Sequence, residues 1–216
     1  MARTDPAGNS PSFSAAHAYS RDAGRYDART ARYEVYRRRA VDLLQVVPGE
    51  VVADVGCGTG LCFEQLVDRV GPEGTVVGVE PAAEMRALAT ERIAARGWTN
   101  VVVVGSAVEC AVLPPLDHAL FCAVHDVLQS PAALDHVLAH VRDGGGVAAT
   151  GGKWAPVWAL GLNAGVLALH APFVRSFAGF HKPWALLAER VPGLTAEEVA
   201  FGAGYVASGR VDRDPG

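Results

Sequence analysis

The chain has 216 residues, half of them hydrophobic and 19% charged, with a formal net charge of -4. That length supplies the core of one domain and leaves too little for a second beside a doubly wound sheet. The weakly acidic balance excludes an extended basic surface for nucleic acid, and Arg37, Arg38 and Arg39 in the run ARYEVYRRRAVDLL read as one solvated helix face.

Residues 1–24 are small and polar, without the apolar stretch of a secretion signal, and are expected to form a flexible arm ahead of a single domain over 25–216. Tyr33, Tyr36, Ala40, Leu43 and Leu44 recur at helical spacing and predict a helix over 29–45. After the Pro48-Gly49 turn, the apolar run from Val51 predicts a buried strand. It ends in the glycine-rich stretch Gly56, Gly58 and Gly60. The amphipathic pattern LCFEQLVDRV follows at 61–70 as a helix, so the glycines sit at a helix N-terminus, where free N–H groups and the dipole favour an anionic group.

A second strand is predicted over 75–80, ending in Glu80, then a helix over 82–96 stopped by Gly97, and a third strand over 101–104. The fourth strand is predicted over 117–124, followed by a helix over 131–141, a turn at Gly144, Gly145 and Gly146, and a fifth strand over 147–150. Strands alternating with helices mean βαβ units and a parallel sheet covered on both faces. The run 154–174 carries no charged residue and holds Gly161 and Gly165 in a G-x-x-x-G arrangement. Pro156, Asn163, His170 and Pro172 argue against a membrane span, and it is expected to be helical cover over a site, with peripheral lipid contact open. A helix near 184–190 and two tail strands joined by a tight turn at 202–204 complete the reading.

The glycines decide between cofactors. A dinucleotide fingerprint wants G-x-G-x-x-G, with its third glycine where this chain has Leu61. Here Asp54 precedes Gly56, Gly58 and Gly60, and this acid-x-G-x-G-x-G pattern, paired with Glu80, resembles motif I of the class I S-adenosylmethionine-dependent methyltransferases. The resemblance covers roughly 26–211. It implies a Rossmann-like fold: a doubly wound, mostly parallel seven-stranded sheet closed by a C-terminal antiparallel hairpin. It further implies S-adenosylmethionine as cofactor, with Gly56, Cys57, Gly58 and Gly60 admitting its methionine part, Asp54 orienting its ammonium group and Glu80 holding its ribose. Pro81 and Met85 would line the adenine. After the third strand the family usually has glycine, aspartate, alanine; here Gly105, Ser106 and Ala107 stand there, so Ser106 offers a hydroxyl without the charge.

His125 and Asp126 follow the fourth strand, at the edge where a transferred methyl would face its acceptor. His125 is the candidate general base, the alternative being a histidine that only packs or positions. A substrate-capping insertion over 152–190 holds Trp154, Trp158, His170, Phe173, Phe177, Phe180, His181 and Trp184, which with Tyr26, Tyr33 and Tyr36 suits a hydrophobic or aromatic acceptor. Of these, Tyr26, Tyr33, Trp154 and His181 are the substrate candidates; Lys153, Arg175 and Lys182 are further polar ones.

Cys57, Cys62, Cys110 and Cys122 form no metal spacing, so no metal is expected, and reduced thiols fit the cytoplasm. The expected protein is a monomeric or homodimeric small-molecule methyltransferase. Its rivals are an NAD-dependent oxidoreductase and a noncatalytic cofactor-binding partner protein.

Overall fold

The computed structural model describes residues 30–172 and 174–213, without the side chains of Arg32 and Leu160. The expected arm over 1–24, Tyr26 and Phe173 lie outside the described residues. Seven strands form one sheet in the order β3-β2-β1-β4-β5-β7-β6: β1 (Val51–Val55), β2 (Thr75–Val79), β3 (Val101–Val104), β4 (Leu116–Cys122), β5 (Val141–Gly152), β6 (Thr195–Val199) and β7 (Gly204–Arg210). The first five are parallel, and β7 runs antiparallel between β5 and β6. This is the expected doubly wound sheet with its closing hairpin.

Strand alternation divides the core between two faces. Val52, Val76 and Ala148 pack under α1 (Glu34–Leu44), α2 (Phe63–Val70) and α3 (Ala83–Arg96), with Leu44, Phe63, Leu66 and Ala89 fully buried there. Ala53, Val55, Val77, Val79, Val147 and Ala149 face the other way, against α4 (His125–Leu128), α5 (Pro131–His140) and α7 (Ala185–Arg190). Ser130 caps α5, accepting from the Ala133 N–H at 3.3 Å, and Pro131 starts it where a missing N–H costs nothing.

Three boundaries differ from the sequence reading. The first helix is a 3-10 turn at Ala31–Tyr33 running into α1, which ends at Gln45 in the left-handed conformation. The fourth strand stops at Cys122, because Ala123 turns to φ 57 and α4 begins at His125. β5 starts at Val141, so the three glycines lie within it, opposite a register shift between Leu116 and His118. Glycine is required at Gly145, where a Cβ would meet the Asp117 carbonyl oxygen at 2.4 Å.

This amino edge of the sheet is tied by a polar cluster. His118 Nδ1 accepts from the Gly146 N–H at 2.9 Å, so its Nε2 donates to Glu50 at 2.7 Å, and Arg142 bridges Glu50 and Asp117. The uncharged run forms α6 (Leu160–His170), eleven residues long, and no helix among the described residues is long and apolar enough to cross a membrane. Gly161 and Gly165 pack against nothing among the described residues.

Candidate active site

The carboxyl edge of β1, β4 and β5 opens into a cleft of about 1070 Å³ of empty space, its mouth included. Gly56 and Gly58 of the glycine loop line its floor, and with Gly60 behind them all three have positive φ (68, 56 and 77°). A Cβ on Gly56 would meet Val124 Cγ1 at 2.5 Å, and one on Gly60 would meet the Phe63 ring at 2.5 Å. Gly58 is different: its Cβ would find only Met85 Cε at 3.5 Å. Two of the glycines thus fix the turn by crowding, and the middle one leaves room above the loop.

Charge concentrates at this end. Asp54, at the end of β1, is 1% exposed, lines the cleft, and its Oδ2 has no hydrogen-bond partner among the described residues. Burial, reinforced by Glu80 and opposed by Arg37, pushes its carboxyl up to about 7. Glu80 follows β2 and already braces the loop: its oxygens accept from the Gly58 N–H at 3.0 Å and the Ala82 N–H at 2.8 Å. Burial raises its pKa against the pull of those two N–H groups. Each oxygen keeps a further lone pair for a ligand hydroxyl.

Arg37 corrects the sequence reading. It is 6% exposed rather than solvated, reaches from α1 into the cleft, pairs with Glu34 at 2.9 Å and donates to the Thr30 carbonyl. Tyr33, Arg37, Ala40 and Leu44 share one helix face at spacings of four, three and four, which carried the signal for its burial.

The opposite end of the cleft is aromatic. His125, at the start of α4, is buried, and its Nε2 lies 2.9 Å from the Ala178 carbonyl. A carbonyl only accepts, so Nε2 carries the proton and Nδ1, without a partner, carries the lone pair. Burial lowers its pKa, against the Ala178 and Ser176 carbonyls and Asp126, and it stays neutral. Its ring stands edge-on to Phe180, centroids 4.8 Å apart. His170, from the end of α6, stands on the same Phe180 ring at 5.4 Å.

The cleft brings together Asp54, Gly56, Cys57, Gly58, Tyr33 and His125 from the sequence candidates. Glu80 and Met85 adjoin Gly58 from the β2 side. Pro81 lies at the surface with its carbonyl held by Arg86, whose guanidinium also packs over Gly105. Ser106 donates to the Ala107 carbonyl, and both lie beyond the cleft wall, as does Gly60. Trp154 does not line the cleft; it backs Phe180 at 5.4 Å and Phe177 at 5.0 Å. His181 and Lys182 are exposed outside it. Lys153 is buried, donating to the Trp154 and Gly202 carbonyls and pairing with Glu198. Among the described residues no cluster fits a metal ion.

The donor set tests the cofactor. A bare buried carboxylate beside a second acid repels a dinucleotide's pyrophosphate and suits a cation, such as the ammonium of an amino-acid moiety. With the antiparallel β7, this fits the cofactor of a class I methyltransferase better than a dinucleotide.

Comparison with known proteins agrees. Residues 52–145 match the family described as "Methyltransferase domain". Nocamycin O-methyltransferase of Saccharothrix syringae is 40% identical over 86 residues, covering 39% of this chain and 31% of that protein. Aklanonic acid methyltransferase DauC of Streptomyces sp. (strain C5) is 32% identical over 111 residues, half of each chain. The chain therefore spans about a third to a half of the length of these relatives. A SAM-dependent methyltransferase from Aquifex aeolicus shares the fold, with a TM-score of 0.66 at 19% identity over 89% of this chain and 98% of that one. Residues 52–145 therefore form a methyltransferase domain, the chain shares the fold of S-adenosylmethionine-dependent methyltransferases, and S-adenosylmethionine is the cofactor of that class.

Proposed function

We propose that the protein transfers a methyl group from S-adenosylmethionine to a hydrophobic or aromatic small-molecule acceptor by in-line displacement. The observation that carries this reading is one continuous cleft with two chemically different ends: Asp54, Arg37 and the glycine loop at one, and His125, Phe180, Val174 and Tyr205 at the other. When bound, S-adenosylmethionine supplies an electrophilic methyl on a sulfonium, whose sulfur leaves as a neutral thioether.

The chain's residues supply position and surroundings. Asp54 Oδ2 takes the ammonium group and Glu80 the ribose hydroxyls, while the glycine loop lets the ligand lie against backbone. The apolar wall of Leu169, Val174 and Phe180 excludes water from the reacting axis, and alignment there replaces the entropy loss of a bimolecular encounter. His125 presents Nδ1 toward the acceptor end as a neutral base. The net charge of -4 and free cysteines support a cytoplasmic enzyme that acts without nucleic acid.

The nocamycin and aklanonic acid methyltransferases and the demethylmenaquinone methyltransferase of Bacillus cytotoxicus, 34% identical over 88 residues, support an organic acceptor of this kind. The test combines calorimetry with S-adenosylhomocysteine and NAD, and a methyl-label screen against small-molecule extracts. Binding of S-adenosylhomocysteine and a labelled hydrophobic product are expected. Tight NAD binding overturns the reading, and cofactor binding with no labelled product favours a noncatalytic partner protein.

A further inference from the structure

Two polar atoms at the acceptor end, His125 Nδ1 and His170 Nε2, are both buried and remain without a hydrogen-bond partner among the described residues. They come from separate elements, α4 and α6, and both rings stand edge-on to Phe180 while lining the same cleft. A buried polar nitrogen left bare costs about 1–3 kcal/mol, so two that share one cavity wall mark places a ligand atom fills. Gly152 makes the second possible: a Cβ there would lie 2.1 Å from His170 Nε2.

Resting on the methyltransferase reading above, we propose that His125 and His170 form a two-point clamp for an acceptor with an acidic hydroxyl and a second oxygen on the neighbouring carbon, and that the hydroxyl oxygen is methylated. The O–H proton passes to His125 Nδ1, the oxygen's electron pair forms the new O–C bond, and the C–S pair leaves with sulfur. His170 Nε2 holds the second oxygen and so sets which acceptors align.

The electrostatics select against a cationic acceptor. Burial, with His125 adding to it, takes His170 down to about 4, so this end of the cleft disfavours cations. The other titratable groups on its walls are Cys122 and Tyr205, the phenol being held neutral by burial, with Asp126 paired to Arg175 at 3.8 Å. Asp54, which suits a cation, serves the cofactor end.

The experiment uses the full chain saturated with S-adenosylhomocysteine and three probes of one skeleton: 2,3-dihydroxynaphthalene, 2-naphthol and 2-methoxynaphthalene. Calorimetry gives affinities, and nitrogen-15 spectra of the imidazoles report contact. The diol should bind about tenfold more tightly than 2-naphthol and shift both ring signals. In His170→Leu that advantage should fall to within twofold, with S-adenosylhomocysteine affinity kept. His170→Gln should keep most of it, and Gly152→Ala, whose methyl needs the space of Nε2, should behave like His170→Leu. A diol advantage unchanged in His170→Leu, or no ring shift with either hydroxylated probe, overturns the clamp. Loss of S-adenosylhomocysteine binding by the wild-type protein overturns the methyltransferase reading instead.

Discussion

Asp54 offers a test in which stability and ligand binding pull in opposite directions. Its carboxyl rises from the ordinary 3.8 to about 7 through burial and the nearby Glu80. For an acid raised on folding, the folded state binds more protons than the unfolded one between the two values. Stability is therefore full below about 4 and is lost as pH rises toward 7, then levels off. At about 1.4 kcal/mol per unit, the shift costs the ligand-free protein about 4 kcal/mol at high pH, and about 2 kcal/mol of that accrues between pH 5.5 and 8.5.

Asp54→Asn removes the ionisation and keeps the shape. Its amide brings a pH-independent offset of about 1–3 kcal/mol for imperfect partners, so the slope of the difference is the measurement rather than its absolute value. Urea unfolding of both proteins at pH 5.5, 7 and 8.5 should show the variant gaining about 2 kcal/mol on the wild type across that range. Saturating S-adenosylhomocysteine should reverse the order at pH 8.5, because its ammonium pairs with the wild-type carboxylate alone. A stability difference flat with pH refutes the buried charge, and equal stabilisation of both proteins by ligand removes Asp54 from the ammonium site.

Glu80→Ala should lose about 1–3 kcal/mol of cofactor affinity by calorimetry and also loosen the loop at Gly58; unchanged affinity takes Glu80 out of the site. Gly56→Ala should destabilise by about 1–3 kcal/mol, because positive φ and the Val124 contact act together, whereas Gly58→Ala should cost about 1 kcal/mol; thermal melts rank them. If His125 is a base, turnover should fall on acidification below its lowered pKa, so the acid limb lies under the usual 6.5, and His125→Gln should lose about a hundredfold with cofactor affinity kept. Near-normal mutant turnover with a flat profile leaves alignment alone. At the amino edge, burial raises Glu50, but the Val47 N–H, His118 and Arg142 outweigh it and leave it lowered. Its contribution is present above the unfolded value of about 4.5 and lost as pH falls through the folded one, so Glu50→Gln should approach wild-type stability in acid unfolding at about pH 3.

The parallel sheet was legible because β-branched runs bounded by glycine leave one interpretation, as at Val101–Val104, where the predicted and observed strands coincide. β5 was not, because Asp143 and three glycines imitate a turn, and only the pairing with β4 shows the bulge they form. The cofactor end is coded locally: Asp54 and the glycines stand at the end of β1, and Glu80 follows the end of β2, the next strand. The acceptor end is assembled from α4, α6 and the chain around Phe180, a span of more than fifty residues from His125 to Phe180, so no spacing announces that His125 and His170 meet one ring. Trp154 and His181 had the right chemistry for a pocket, yet one is packed behind Phe180 and the other faces solvent.

β7 is the last of the described strands along the chain, yet it sits inside the sheet, hydrogen-bonded to β5 on one side and β6 on the other. During synthesis, therefore, β5 presents an open edge, and Val147 and Ala149 remain partly uncovered until residues 204–210 have left the ribosome. Thr150 completes its hydrogen bond to the Tyr205 carbonyl only then. The nascent protein must pass through a stage in which five parallel strands wait, exposed at one edge, for a partner made after them. That interval is where chaperone engagement and misassembly compete, and substitutions in the hairpin should act first on soluble yield in cells, before any effect on ligand binding by the finished protein.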